Sequence, residues 1–559
     1  MKRTDGPFVA MAFVGLAALV VLRPGPAAAS PIAGTGSLSG MVVAPKAFQA
    51  AQVYARNTDK NILYMVYTSG GRYQALNLMP GDYEVTVRKN GFSTDVKKIV
   101  VKAGSNATAD FSLREGDPNL PQGGRLQGLP RVAFDELYPP GPGRELVQET
   151  CVVCHGPNFL PGRQWSEAQW KAALERMMSS GSRAGTQIPP GALSQQDQDA
   201  ILAYLTKTFG PDSTPKALRI DSEFPLDEQA LSRAMYVEYY LPLDPTLDAN
   251  NKSRRAQDPH FDSDGNVWYT DRSIPNRVGR LDPRTGEFKD HVLPDPKADP
   301  HGLSVDKQGH VWWVEVRGFH LGRLDPKRGE MTRYDMNTNG ELPEGGADSA
   351  YIDSKQNVWF TAIYGNRLGK WDRTTSKIKL WEPPTSNSFP YGILADKKDN
   401  IWIAEFHGCK IAKFDPLREK WTEYPALTQP CAIRRLGMDS KGTAWYGVFS
   451  GGKLGKIEPD TGKIVEFGIP MPNSQPYDTW PDAEGNVWVS DAGQGGTLIK
   501  FDPRTEKFTY YPSPQITDMP KLEITREGAV WYCPRSSQNA AVGVMYPDVT
   551  KMTTLGAYY

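Results

Sequence analysis

Between residues 233 and 559 the chain repeats one pattern of apolar and polar positions. Short alternating runs recur as NVWYTD, HVWWVE, NVWFTA, NIWIAE, TAWYGV, NVWVSD and AVWYCP, each with one phased tryptophan: Trp268, Trp312, Trp359, Trp402, Trp445, Trp488 and Trp531. The spacings are 44, 47, 43, 43, 43 and 43 residues. A polar turn such as SDGN precedes each run, and a second apolar strand such as RVGRLDP or KIAKFDP follows. Four short strands per repeat at this period predict a β-propeller, here of seven blades, with the tryptophans packing blade against blade. The run YVEYYLP at residues 236–242 reads as an extra outer strand that closes the ring, and KMTTL near residue 551 competes for that place.

Upstream the period changes twice. Residues 35–114 alternate with period two between Gly, Asn and Asp turns, the pattern of half-buried strands in a small β-sandwich. Residues 142–209 switch to helical spacing in WSEAQWKAALERMM and SQQDQDAILAYLTKTFG. Pro- and Gly-rich linkers at 115–141 and 210–232 separate these units, which predicts that the three fold independently. The expected fold class is therefore mainly β and multidomain: a seven-bladed propeller preceded by a small all-α domain and an N-terminal sandwich.

The first 29 residues form a different kind of segment. Lys2 and Arg3 precede an apolar run from Phe8 to Leu22 and then Ala27-Ala28-Ala29. A basic start, an apolar stretch shorter than the roughly 20 residues of a membrane span, and a small-residue site predict a cleaved secretory signal. The mature chain is then expected to be periplasmic or secreted, with no stable membrane span. Lys plus Arg and Asp plus Glu both number 64. This balance excludes a nucleic-acid footprint as the main binding mode.

Five cysteines are present. Two belong to CVVCH, residues 151–155. Two thiols three residues apart, with His directly after, form the attachment signature of haem c: Cys151 and Cys154 make the thioether links and His155 the axial iron ligand. Three helices around this motif resemble a small class I cytochrome c. In EAQWKAALERM the resemblance implies that Met177, seven residues after Trp170, closes the iron's sixth position. Cys409 and Cys431 are open either to pairing or to burial as thiols, and His407 with Cys409 is a weaker soft-metal pair. The phrases GRYQALNLMPGDYEVTVRKNGF and VVKAGSNATADFSL resemble the carboxypeptidase regulatory-like, transthyretin-type module, which carries no catalytic constellation here.

A repeat is informative where its units differ. In phase, the position opening each innermost strand holds Gln257, His301, Asp348, Tyr391, Arg434, Tyr477 and Pro520. The position three after each Trp holds Asp271, Glu315, Ala362, Glu405, Val448, Asp491 and Pro534. Antiparallel pairing brings both sets to one face, the top. The second blade, DPHGLSVDKQGHVWWVE, resembles the virginiamycin B lyase (streptogramin lyase) family. That likeness implies Asp299 and Glu315 as Mg²⁺ ligands and His301 as the acid-base residue, sharing one site. Gln257 stands where that family has a second His, with His260 displaced three residues along.

Three functions compete. The first is an exported haem c oxidoreductase whose propeller binds or oxidises a small molecule and whose haem serves a periplasmic electron-transfer partner. The second is a Mg²⁺-dependent carbon–oxygen lyase carrying an accessory cytochrome. The third is a ligand-binding propeller tethered to an electron carrier.

Overall fold

The computed structural model describes residues 32–116, 129–152, 159–178, 188, 193–218, 226–244 and 254–559, except 90, 297, 338–339, 341, 343–345, 430, 472, 494–495, 516, 518 and 535–539. The signal segment 1–29 and the motif residues Cys154 and His155 lie outside them. Among the described residues no helix is long and apolar enough to cross a membrane.

Six four-stranded antiparallel sheets follow one another from Ala256–Phe261 to Lys507–Pro512. The seventh blade holds Leu522–Ile524, Val530–Tyr532 and Ala541–Tyr546, and its fourth strand is Met235–Tyr240. The strand that precedes the repeats therefore closes the ring, whereas Val549–Lys551 forms only a 3₁₀ turn. All seven phased tryptophans are buried, at 3 % exposure or less.

These tryptophans do more than pack. In six blades an Asp six residues upstream accepts the indole N–H: Asp262, Asp306, Asp353, Asp396, Asp439 and Asp482, at 2.8–3.3 Å. The same carboxylates take turn amides, as Asp396 does from Lys398 and Asn400. The polar turn and the apolar strand are thus fixed by one side chain. Blade seven has Thr525 in that place, and the Trp531 indole N–H donates no hydrogen bond. The residue after each Trp, where aromatic, covers a glycine on the next strand. A Cβ at Gly322 would meet Trp313 at 2.0 Å, and one at Gly455 would meet Tyr446 at 2.2 Å.

The sandwich is not a separate body, which corrects the expectation of independent units. One of its sheets runs Lys97–Val101, Gly81–Arg88, Gln52–Asn57, Ile62–Tyr67, and then continues into Met235–Tyr240 and blade seven. The junction is antiparallel, from Met235↔Val66 to Tyr239↔Ile62. All six side chains of Ile62–Tyr67 are buried. Tyr54, Leu63, Met65 and Tyr67 share an apolar cluster with Tyr236, Trp488, Tyr511 and Leu522 of the propeller. Tyr67 donates to the Pro512 carbonyl, Tyr54 to that of Pro514 at 3.2 Å, and Glu228 accepts from the Ala50 amide at 2.7 Å. The physical reason lies in the strand edges. Met235–Tyr240, an apolar outer strand, would otherwise present unpaired backbone to water, and the sandwich edge covers it.

The helical unit interrupts this continuous sheet in sequence. It contains Arg144–Val147 extended by the π-helical turn Gln148–Val152, then Glu167–Met178 and Gln195–Phe209. Arg131–Val132 and Ala217–Leu218 pair in parallel and hold its two ends together. Its core includes Tyr138, Val152, Trp170, Leu174, Tyr204 and Phe209. Ser194 opens the last helix with a reciprocal capping box to Asp197.

Candidate functional site

The innermost strands carry bulges at 257/260, 300/303, 390/393 and 476/478. A bulge inserts a residue and re-aims its neighbours. Asp258 occupies the left-handed region in the first bulge, at φ 57°. The side chains so turned meet at the propeller axis.

The three residues of blade two have three different partner sets. Asp299 is held bidentately by Arg272, Nε and Nη2 donating at 2.7 and 2.8 Å, with Arg317 at 3.5 Å. Those guanidiniums keep its carboxyl below the ordinary range against the cost of burial. Glu315 is held by the same fork from Arg333, at 3.1 and 2.6 Å, inside its own blade, with Trp313 Nε1 at 3.3 Å. His301 alone joins the axis: its Nε2 lies 2.8 Å from Gln257 Nε2, and its Nδ1 lies 2.8 Å from the Asp348 carbonyl and 3.3 Å from its carboxylate. The hydrogen bonds and ion pairs of Asp299, His301 and Glu315 thus run to different partners. Two arginines outside the counted positions neutralise both carboxylates: Arg272, directly after the Trp strand of blade one, and Arg333, on the outer strand of blade two. An Mg²⁺ pair of Asp299 and Glu315 does not fit these contacts, since each donor set is filled by a guanidinium. Among the described residues no group of three or more His, Cys, Asp or Glu is placed to hold a metal ion.

What the axis does collect was only half legible. Beside His301 it gathers Asp348, Tyr391, Arg434 and Tyr477, as the phase count implies. Tyr391 and Tyr477 share a hydroxyl contact of 2.8 Å, and the Arg434 guanidinium lies 4.4–5.8 Å from the rings of Phe449, Tyr477, Phe406 and Tyr391. Of the second tier only His260, three positions past Gln257, is named from the sequence; Asp258, Arg435, Asp478 and Lys521, one position further on, and Glu523, three further on, were missed. Polar residues at two successive tiers of one inner strand were the available signal. Here Arg435 Nη2 lies 3.5 Å from Asp258 Oδ1, Asp258 Oδ2 lies 3.4 Å from Lys521 Nζ, and Lys521 Nζ lies 2.6 Å from His260 Nε2. Burial pushes the Asp348 and Asp478 carboxyls up to about 6 and that of Glu523 up to about 8. Burial, with Lys521 and Arg435 nearby, holds His260 well below its usual value.

The attachment motif has one described thiol. Cys151 is half-buried in the π-helical turn, one residue before its end, and packs with Met177 and Met178 against the helical core. The next residue, Val152, accepts a hydrogen bond of 3.4 Å from Gln475 Nε2, two residues before Tyr477 at the top of blade six. Cys409 and Cys431 form a disulfide, which removes Cys409 as a metal ligand.

Residues 249–500 match the model of the Virginiamycin B lyase family, and residues 37–114 that of the Carboxypeptidase regulatory-like domain. No curated protein matches the chain. Among solved structures, one described as a streptogramin B lyase is 22 % identical, over 56 % of this chain and 97 % of that one, with a TM-score of 0.49. Virginiamycin B lyase from Staphylococcus aureus is 21 % identical over 54 % and 97 %, with a TM-score of 0.48. The WD40 propeller domain of Doa1 is 11 % identical over 56 % and 97 %, with a TM-score of 0.44. The chain thus joins a carboxypeptidase regulatory-like domain to a virginiamycin B lyase-like propeller.

Proposed function

We propose that this is an exported haem c protein whose lyase-like propeller binds a small molecule at its axis and whose haem passes electrons to a periplasmic partner. One observation carries the reading: CVVCH at 151–155 begins at the end of a helix that lies against the top of the propeller. The residues suit the group. Cys151 and Cys154 would hold the haem covalently, and His155 and Met177 would ligate its iron; Cys151 and Met177 border one apolar core. Bound there, haem supplies one-electron chemistry, and a thioether ligand favours electron transfer over oxygen activation. The protein's own contribution is the apolar core with Tyr138, Val152 and Trp170 against which Cys151 packs, and the contact of the helix end with Gln475. The Cys409–Cys431 disulfide agrees with an oxidising compartment. The test is the pyridine haemochrome spectrum of the exported protein, which counts covalent haem, together with the absorption spectra of the native ferric protein and of Met177→Ala. One haem per chain, with the thioether-to-iron charge-transfer band lost in the variant, is the expected result; no covalent haem would refute it.

The family match over 249–500 favours a second reading, a carbon–oxygen lyase with His301 as acid-base residue. Mg²⁺-dependent opening of a streptogramin B lactone, abolished by His301→Ala, would establish it. The arginine pairs on Asp299 and Glu315 weigh against it.

A further inference from the structure

Two arginines show what a guanidinium edge does in this protein. Arg272 and Arg333 each present Nε and Nη2 to a carboxylate, Asp299 and Glu315. Arg435 presents the same edge to the axis, and neither its Nε nor its Nη2 donates a hydrogen bond, although the residue is 4 % exposed. Acceptors in the same string match it. Asp258 Oδ1 and Glu523 Oε2 accept no hydrogen bond, in residues 1 % and 2 % exposed. The string is continuous, from Arg435 through Asp258, Lys521 and His260, with Glu523 Oε2 3.6 Å from His260 Nδ1. Arg435 Nη2 and Asp258 Oδ1 face each other, and Glu523 Oε2 faces His260, only at ion-pair distance. The hydrogen-bonding capacity of these atoms and of Arg435 Nε is therefore unused at one place, where a partner that hydrogen-bonds them would be stabilising.

Both signs line the axis: Arg434, Arg435 and Lys521 lie among Asp258, Asp348, Asp478 and Glu523. An anion would meet Asp258, and a cation would meet Arg435 and Lys521. A hydroxyl group accepts from the guanidinium edge and donates to a carboxylate oxygen, and it brings no charge. The rings of Tyr391, Phe406, Phe449 and Tyr477 stand above, at the end nearest Val152. At the opposite end, the Tyr559 hydroxyl contacts His260 Nδ1 at 2.9 Å.

We propose that the propeller axis binds a small neutral polyhydroxylated molecule, a polyol or sugar, with Arg435 donating to its hydroxyl oxygens and Asp258 and Glu523 accepting from its hydroxyl groups. This names the ligand class of the site in the reading above and depends on that reading only for what the haem does with it. The test is calorimetric titration of the full-length protein with glycerol and with D-glucose. Saturable binding of at least one probe is expected, weakened tenfold or more in Arg435→Met and in Asp258→Asn. Asn keeps the shape and tolerates the left-handed backbone of Asp258, so this variant remains informative if the first fails to fold. Heats of dilution alone with both probes would mean that the axis holds only water and would overturn the inference, as would unchanged binding in Asp258→Asn. A protein without haem that still binds a probe keeps this site and sinks the redox reading. A haem-loaded protein that binds neither probe does the reverse.

Discussion

Replacing Met65 by Ala tests whether the sandwich and the propeller are one folding unit. Met65 is fully buried, pairs in register with Tyr236, and belongs to the cluster that holds Trp488, Tyr511 and Leu522. Truncating a buried Met to Ala costs about 2–5 kcal/mol, because the surroundings relax only partly into the cavity. The probe is built into the sequence: of 14 tryptophans none lies within residues 35–114, so tryptophan fluorescence reports only on the helical unit and the propeller. If the shared sheet couples the two, the fluorescence-monitored denaturation midpoint of Met65→Ala falls by the full 2–5 kcal/mol equivalent and coincides with the far-ultraviolet circular dichroism transition. A fluorescence transition at the wild-type midpoint, with an earlier loss of part of the dichroism, would refute the reasoning. The sandwich would then melt alone from an intact propeller.

Three further outcomes follow from the blades. Asp396→Ala removes the acceptor for the Trp402 indole and for the Lys398 and Asn400 amides, so chemical denaturation should show a loss of about 1–3 kcal/mol, whereas Thr525→Ala, which stands in the blade whose indole has no such bond, should cost less. Gly455→Ala drives a Cβ to 2.2 Å from Tyr446 and should cost about 1–3 kcal/mol by overpacking, read as a lowered thermal midpoint. Glu405 is fully buried with neither carboxylate oxygen hydrogen-bonded, and burial, with Glu423 nearby, pushes it from 4.5 up to about 7. Its folded pKa is raised, so its contribution is complete below about pH 4.5 and lost as pH rises through about 7, a change of roughly 3 kcal/mol. Glu405→Gln should flatten the stability profile across that window, and an unchanged profile would show that another group sets it.

The sequence by itself determined the repeat. A Trp every 43–47 residues, with strand-period alternation around it, permits no architecture but short stacked sheets, because each four-strand unit buries its faces only against the next. It also determined the helical unit and its CVVCH, since helical spacing and two thiols beside a His are local properties. Even the closing strand, YVEYYLP, was visible as a copy of an outer strand. Tertiary structure decided what that strand does with its other edge: it takes Ile62–Tyr67 as a neighbour and turns three expected bodies into a sheet shared by two of them. Partner choice at a strand edge depends on which unpaired edge lies within reach, and alternation alone does not encode this. The same holds at the axis. Phase placed Asp299, His301 and Glu315 on one face, but whether a carboxylate there is available depends on side chains reaching in from other strands. Arg272 and Arg333 took two of the three, while Arg435, Asp258 and Glu523, one tier deeper, kept atoms without a hydrogen bond. Charge pairing across strands is settled by distances of about 3 Å, and only the folded chain sets those.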